Sequence, residues 1–288
     1  MGRNKRGCSD SINIYHSYKK GTGICVSTFF HSQHMKIIDL SKPIQYNAQD
    51  PWFMRVKIKH KPHAKAKWLI RIWGLPFKLF PKNFIGWADD TIVKMGVHAT
   101  THIDAPWHYS PTCGGKISKT VDQIPLEWCI GEGLVIDMTH KADFDEITVA
   151  DIELFLQQQQ LEIKPNMIVL IKTGRDKFNG TKDFHKVGTG MNAAATEWLI
   201  DKGIKVMGID SWGWDLPLPY LIKKAKETGN PDLFWQAHLV GQRKEYCHME
   251  QLVNLDQLPY SGFTVSALPL RIVGASAAPA RVVAILND

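Results

Sequence analysis

The 288-residue chain has no uninterrupted apolar run near the roughly 20 residues a membrane span requires. It has no CxxC pair. Its five cysteines, Cys8, Cys25, Cys113, Cys129 and Cys247, stand far apart, which excludes a zinc ribbon or a thioredoxin-like site and suits a reducing, cytoplasmic compartment. No glycine pattern of the Rossmann or P-loop kind sits between a strand and a helix, so no nucleotide cofactor is expected. No GxSxG elbow is present, and nothing around Ser110 reads as a nucleophile turn, which argues against a Ser-His-Asp hydrolase. Internal repeats and low-complexity tracts are also missing.

What is present is a chain able to build a core: 44% of residues are hydrophobic and 22% charged. Thirty-five basic side chains against 28 acidic ones leave a net charge of +7, a mild excess compatible with an anionic substrate and uninformative about fold. Residues 1–35 read as an amino-terminal extension. They begin with a basic cluster and lack the apolar stretch of a secretory signal. Met35, directly before KIIDLSKPI, offers an alternative start, and residues 36–288 read as one domain.

Within that domain, residues 53–90 stand out. Between Phe53 and Phe80 there are eight lysines and arginines, no acid, and interleaved large apolar residues. Two readings stay open: a basic, aromatic lid or surface for an anionic partner, or a solvated segment whose Trp68, Leu69 and Trp73 pack onto the core. The second is preferred. No nucleic-acid-binding module surrounds the charge, so that class of partner is not expected.

Beyond residue 110 short apolar runs alternate with helical patterns. Strands are expected at 134–138, 167–172, 205–209 and 281–286. A helix over 149–160 would be capped by Thr148 with Asp151 three residues on. Asn192 would cap a second helix, stopped by Gly203. The alternation predicts an α/β fold with a mixed β-sheet and flanking helices.

The chemistry concentrates between His98 and His108, in HATTHIDAPWH. A helix there is opposed by Pro106 and by adjacent threonines. An extended chain would aim His98, His102, Asp104 and His108 to one side, provided it stays extended through Ala105-Pro106. Two imidazoles and a carboxylate suit Zn2+ or Mn2+ and leave a position open for water, which the metal acidifies. His108 would then be the catalytic proton shuttle.

The same stretch resembles the HxGTHxDxPxH motif of the metal-dependent cyclase family, which contains bacterial kynurenine formamidase and isatin hydrolase. The resemblance extends over DAPWHY, PLEWC at 125–129, GIDSWGWD at 208–215 and HLVGQRKEYCHMEQLVNL at 238–255. It covers roughly residues 37–287. It implies a swivelling β/β/α fold with His98, His102 and Asp104 as first-site metal ligands and His108 as the catalytic histidine. It further implies His238 and Glu250 as ligands at a second position, with Asp104 or Glu250 bridging. Retention of both His238 and Glu250 favours two ions, zinc or alternatively manganese. The motif's glycine is Thr100 here, a departure that adds bulk and a hydroxyl.

The activity implied is metal-dependent hydrolysis of an amide, formamide or lactone in a small aromatic substrate. N-formylkynurenine-type arylformamide ranks first. A cyclic amide of the isatin kind, a lactone, or a non-hydrolytic cyclase or dehydratase reaction is the alternative. Trp107, Trp212 and Trp214 are candidates for a substrate-stacking wall, with Trp128 less favoured. Arg175 or Lys177 could meet a substrate carboxylate, though both read first as solvated loop charges. The resemblance also implies a homo-oligomer, a dimer or tetramer.

Overall fold

The computed structural model describes residues 35–287. Residues 1–34 of the amino-terminal extension, with Cys8 and Cys25, lie outside the described residues, while Met35 opens the first strand. A nine-stranded sheet organises the chain. Its strands are β1 (Met35–Asp39), β2 (His102–Asp104), β3 (Ile130–Asp137), β4 (Ile168–Lys172), β5 (Val206–Ile209), β6 (Cys247–Glu250), β7 (Phe263–Ser266), β8 (Ala277–Pro279) and β9 (Val283–Asn287). Their order across the sheet is β1-β9-β7-β3-β4-β5-β6-β2-β8. The four strands β3, β4, β5 and β6 run parallel, and every other pairing is antiparallel. The mixed sheet expected from the sequence is therefore the observed one.

The parallel strands read as unbroken buried runs because both of their faces are covered. Alternation then divides them between two cores. Val135, Ile168, Leu170, Val206 and Met249 join one cluster with Ile38, Leu40 and Val265. Leu134, Ile136, Val169, Ile171, Met207 and Ile209 join the other. Helices α3 (Val149–Gln159) and α4 (Ala193–Asp201) cover this second face through Ile152, Phe155, Ala195 and Leu199. Both begin as the sequence indicates. Thr148 and Asp151 form a reciprocal capping box, and the Asn192 side chain accepts from the Ala195 N–H. Gly203 follows α4 with φ of +90°, where a β-carbon would be strained.

The segment from 53 to 90 departs from the preferred sequence reading. It forms a two-stranded ribbon, Lys57–Lys59 with Thr91–Lys94, and the helix α1 (His63–Ile72). Only Ala66 of α1 is buried. Trp68 and Trp73 are 65% and 71% exposed and Leu69 is 37% exposed, so these residues do not pack onto the core. The aromatic residues pack instead on one another, edge to face, in a chain from Trp68 through Phe77 and Phe80 to Phe84. Among the described residues no helix is long and apolar enough to cross a membrane.

Candidate metal centre

The site grows out of the pairing of β2 with β6. In their antiparallel register Asp104 lies opposite His248 and His102 opposite Glu250, with Ile103 opposite Met249 between them. Period two sends Ile103 and Met249 into one core and the four polar residues to the opposite face. Two cross-strand pairs of titratable side chains thus meet on the covered face of the sheet. All four are buried.

The HATTHIDAPWH stretch is not one extended strand, contrary to the extended geometry considered from the sequence. His98 sits in a turn before β2, and Pro106 opens a single helical turn, α2 (Pro106–Tyr109). Proline is preset for the first helical position, so the strand ends at Ala105. The two flanking histidines still converge, because turn and helix fold back over the same side. The His98 and His108 rings are 4.3 Å apart. Helix α5 (Gln236–Leu239) adds His238 from far down the chain.

Asp104 is the hub. Its Oδ1 lies 2.8 Å from His98 Nδ1 and 3.3 Å from His102 Nε2. Its Oδ2 lies 3.1 Å from His248 Nε2, 3.7 Å from His108 Nε2 and 4.0 Å from His238 Nε2. Glu250 approaches the same imidazoles, at 3.6 Å from His102, 3.6 Å from His238 and 3.3 Å from His248. The five residues His98, His102, Asp104, His238 and Glu250 singled out in the sequence are therefore brought together, with His108 at their edge.

Each ring is held from behind. The Nδ1 of His102 faces the carbonyl oxygen of Thr100 at 2.6 Å. The Nδ1 of His238 hydrogen-bonds the Asp215 carboxylate, which also accepts the Ala237 and His238 N–H groups. The Nδ1 of His248 faces the Tyr109 hydroxyl at 3.1 Å. With Nδ1–H donating backwards, Nε2 of all three rings presents its lone pair to the carboxylates, the arrangement in which imidazoles bind metal. His98 is turned the other way, with Nε2 on Ser276 Oγ at 3.2 Å. His108 differs from these four. Among the described residues neither of its ring nitrogens has a hydrogen-bond partner.

The polar atoms at the centre are left without hydrogen bonds. His102 Nε2, His248 Nε2 and both carboxylate oxygens of Asp104 are buried and unpartnered. Such groups are costly unless something satisfies them. Lone pairs from imidazoles and carboxylates converging on one volume are the donor set of a divalent cation, and the residues fit one.

The electrostatics agree. Burial alone would raise the Asp104 carboxyl, but His108, His102 and His98 around it hold it well below the usual carboxylate range. Burial opposes charge on His248, yet the hydrogen-bonding reach of Asp104 and Glu250 outweighs it and pushes the imidazole up to about 9. Burial brings His108 down to about 4 against the pull of Asp104. The site thus demands positive charge at its centre and keeps a neutral imidazole at its rim.

A cavity of about 300 Å3 opens over this centre. His98, His108, His238 and Glu250 form its floor, and Phe53, Phe184, Trp212, Leu216 and Trp235 are in its walls. Among the described residues that line it there is no lysine or arginine.

The three tryptophan candidates separate. Trp212 lines the cavity. Trp214 borders it, but its ring is fully buried and stacked on His248, 5.1 Å between centroids and 12° between planes. Its backbone N–H donates to Glu250 Oε1 at 2.9 Å, so it orients a carboxylate. Trp107 is 40% exposed and is not among the lining residues. As the second residue of the α2 turn it faces outward, while His108 faces in. Arg175 and Lys177 also lie off the cavity, with Arg175 paired to Asp143 at 3.3 Å.

Two contributors, His248 and Trp235, escaped the sequence reading, and the role of a third, Tyr109, was not foreseen. His248 carries a signal that was available: in the run CHMEQL, a strand places His248 and Glu250 on one face. Trp235 lies in no motif, while Tyr109 stands in DAPWHY, where the sequence marks it as an aromatic neighbour of the site and not as the support of His248. Tyr109 packs where Gly241 leaves room, since a β-carbon there would fall 2.1 Å from its ring. Trp235 has a left-handed backbone, φ of +60°, and lays its ring on His238 with centroids 4.2 Å apart.

Sheet and cluster together define an α/β protein with a buried His-Asp-Glu centre suited to a divalent ion beneath an aromatic cavity. The chain belongs to the cyclase family, whose model, described as a putative cyclase, matches residues 38–216. It is 27% identical to an isatin hydrolase of Roseibium aggregatum over 201 residues, 67% of this chain and 73% of the relative. It is 24% identical to a kynurenine formamidase of Bacillus cereus over 204 residues, 71% of this chain and 83% of the relative. A crystal structure of an isatin hydrolase bound to the product analogue thioisatinate superposes with a TM-score of 0.68 at 22% identity, covering 88% of this chain and 93% of that one, a likeness of fold.

Proposed function

We propose that this protein is a metal-dependent hydrolase that cleaves a carbonyl–nitrogen bond in a small aromatic substrate. The observation that supports it most is the convergence of buried, unpartnered imidazole and carboxylate atoms on one volume at the floor of an aromatic cavity. His98, His102 and Asp104 would hold one divalent ion, and Asp104, His238 and Glu250 a second. When bound, the metal polarises the substrate carbonyl and lowers the pKa of water to supply hydroxide near neutral pH.

The remaining work falls to the chain's own side chains. Trp212, Phe53 and Phe184 bind the substrate's aromatic body and exclude water around it. Asp215 and the Thr100 carbonyl keep His238 and His102 in the tautomers the centre needs. Neutral His108, free on both ring nitrogens, takes a proton from the attacking water and hands it to the leaving nitrogen. Its place at the rim, between the centre and the cavity, supports that assignment.

An aryl formamide of the N-formylkynurenine type is the first substrate reading, in line with the kynurenine formamidase relative. A specific observation favours a second, a neutral cyclic amide of the isatin type: no lysine or arginine among the described lining residues would meet a substrate carboxylate. The test is metal analysis of the purified chain joined to turnover of formanilide, N-formylkynurenine, isatin and an aryl lactone in 18O-labelled water. Bound metal and label in the acid product of any of these support hydrolysis. Substrate consumed without label in the product points to a rearrangement instead, and a protein free of metal after metal-replete expression overturns the reading. Preference for formanilide and isatin over N-formylkynurenine selects the neutral class.

A further inference from the structure

We propose that His248 is a fourth protein ligand of the deeper ion position, so that Asp104, His238, His248 and Glu250 close its coordination shell. The inference rests on the metal-hydrolase reading above and adds to it a division of labour between two ions.

His248 is fully buried and held by two aromatic neighbours. Trp214 stacks on the ring, and the Tyr109 ring lies 5.3 Å away, inclined at 30°. The Tyr109 hydroxyl meets Nδ1 at 3.1 Å and donates onward to the Asp104 carbonyl oxygen at 3.5 Å. A hydroxyl that donates elsewhere accepts from Nδ1–H, which leaves the Nε2 lone pair pointing inward.

That lone pair faces Asp104 Oδ2 at 3.1 Å and Glu250 Oε1 at 3.3 Å. Both separations are short enough for a hydrogen bond, yet Nε2 is unpartnered because neither oxygen lies along the direction in which an N–H would point. A proton on Nε2 would be aligned with neither carboxylate. A cation between the three atoms serves all of them, and a divalent one balances both carboxylates.

His238 completes the set, with Nε2 3.6 Å from Glu250 Oε1 and 4.0 Å from Asp104 Oδ2. Nitrogen and oxygen ligands about 2.0–2.1 Å from a tetrahedral ion stand about 3.4 Å from one another. The four donor atoms, all within 4.8 Å of each other, are grouped on that scale.

The consequence concerns where chemistry happens. Four protein ligands fill a tetrahedral shell, as in structural zinc sites, whereas catalytic sites keep three and an open place. The position built by Asp104, His238, His248 and Glu250 would hold its ion permanently. The position built by His98, His102 and Asp104 would stay open, and the ring of its His98 lies 4.3 Å from that of His108. With His248 as a ligand the deeper position would have no place left for water, and the open position would be the one to take it.

The experiment strips the full chain of metal and titrates it with Zn2+ and Co2+. It follows stoichiometry by elemental analysis, affinity by competition with a chelator, and geometry by the visible absorption of Co2+. The wild-type chain should bind two ions, one much the tighter and tetrahedral in its Co2+ spectrum. His248→Ala should lose that tetrahedral signal and weaken the tighter site about 100-fold or more. Tyr109→Phe, which leaves His248 in place and removes only its anchor, should weaken the same site about 10-fold, the scale of a lost outer hydrogen bond. A folded His248→Ala that binds both ions with unchanged affinity and spectrum overturns the proposal and leaves the hydrolase reading intact. Should that variant fail to fold, an unchanged tight site in Tyr109→Phe overturns it equally. A wild-type chain that binds neither ion overturns both.

Discussion

Thr100 donates its side-chain hydroxyl to the carbonyl oxygen of Lys42 at 3.0 Å, and both residues are buried. Where the family motif has glycine, this chain uses a hydroxyl to tie the loop ahead of β2 to the segment that follows β1. The Lys42 N–H in turn donates to the neighbouring Thr101 Oγ1 at 2.7 Å. The same Thr100 supplies the carbonyl that fixes His102. The substitution therefore anchors a ligand's support without displacing the ligand. Thr100→Ala leaves a buried carbonyl unsatisfied and should cost about 1–3 kcal/mol, measured by urea unfolding. Unfolding indistinguishable from wild type would show that the hydroxyl contributes nothing to the anchor.

His108→Ala should lower kcat about 100- to 10,000-fold while metal content stays at the wild-type level. The separation is expected because His108 has no hydrogen bond holding it toward the centre and lies 3.7 Å from Asp104 at its nearest. Turnover on the best substrate of the panel, with elemental analysis of the same preparation, checks it. Loss of metal together with activity would make His108 a ligand.

Removing metal should destabilise the fold. Asp104 and Glu250 share a buried volume, and the ion that neutralises them binds only the folded chain. At a free ion concentration about 100-fold above Kd the stabilisation is about 2.7 kcal/mol. Thermal unfolding after dialysis against a chelator should therefore occur at lower temperature, and adding Zn2+ or Mn2+ back should restore it. An unchanged Tm in the stripped protein would mean that protons on the histidines suffice.

Burial pushes the Cys129 thiol up to about 11 and the Cys247 thiol well above its ordinary value. The thiolate is the reactive form, so at pH 8 both stay protonated and inert. Iodoacetamide labelling mapped by mass spectrometry should leave Cys129 and Cys247 unmodified in the native protein and modify them in urea. As pH rises toward 11, Cys129 should begin to react first. Modification of either at pH 8 at the rate of a free thiol would contradict their burial.

Much of the framework was legible in the linear sequence because its causes are local. The apolar runs at 134–138, 167–172 and 205–209 lie within or along β3, β4 and β5. Thr148 and Asn192 announced α3 and α4, since a cap acts within three residues. The dense motif between His98 and His108 located the site, even though Pro106 broke the extended geometry imagined for it. The same local reasoning failed for Trp68 and Trp73, whose packing depends on what lies opposite them, and for Trp107, whose direction depends on the turn it occupies.

The amino-acid sequence by itself thus determined the strands, the helix caps and the residue types of a metal centre, all of which follow from neighbours a few positions apart. Only the tertiary structure decided which of those residues meet. The pairing of β2 with β6 sets Asp104 against His248 and His102 against Glu250 across more than 140 residues of chain. The physical reason is that strand register and helix docking are fixed by the burial of whole faces, a sum over the entire fold that no local window contains. That sum alone turned His248 from an unremarked residue in CHMEQL into a side chain at the heart of the site.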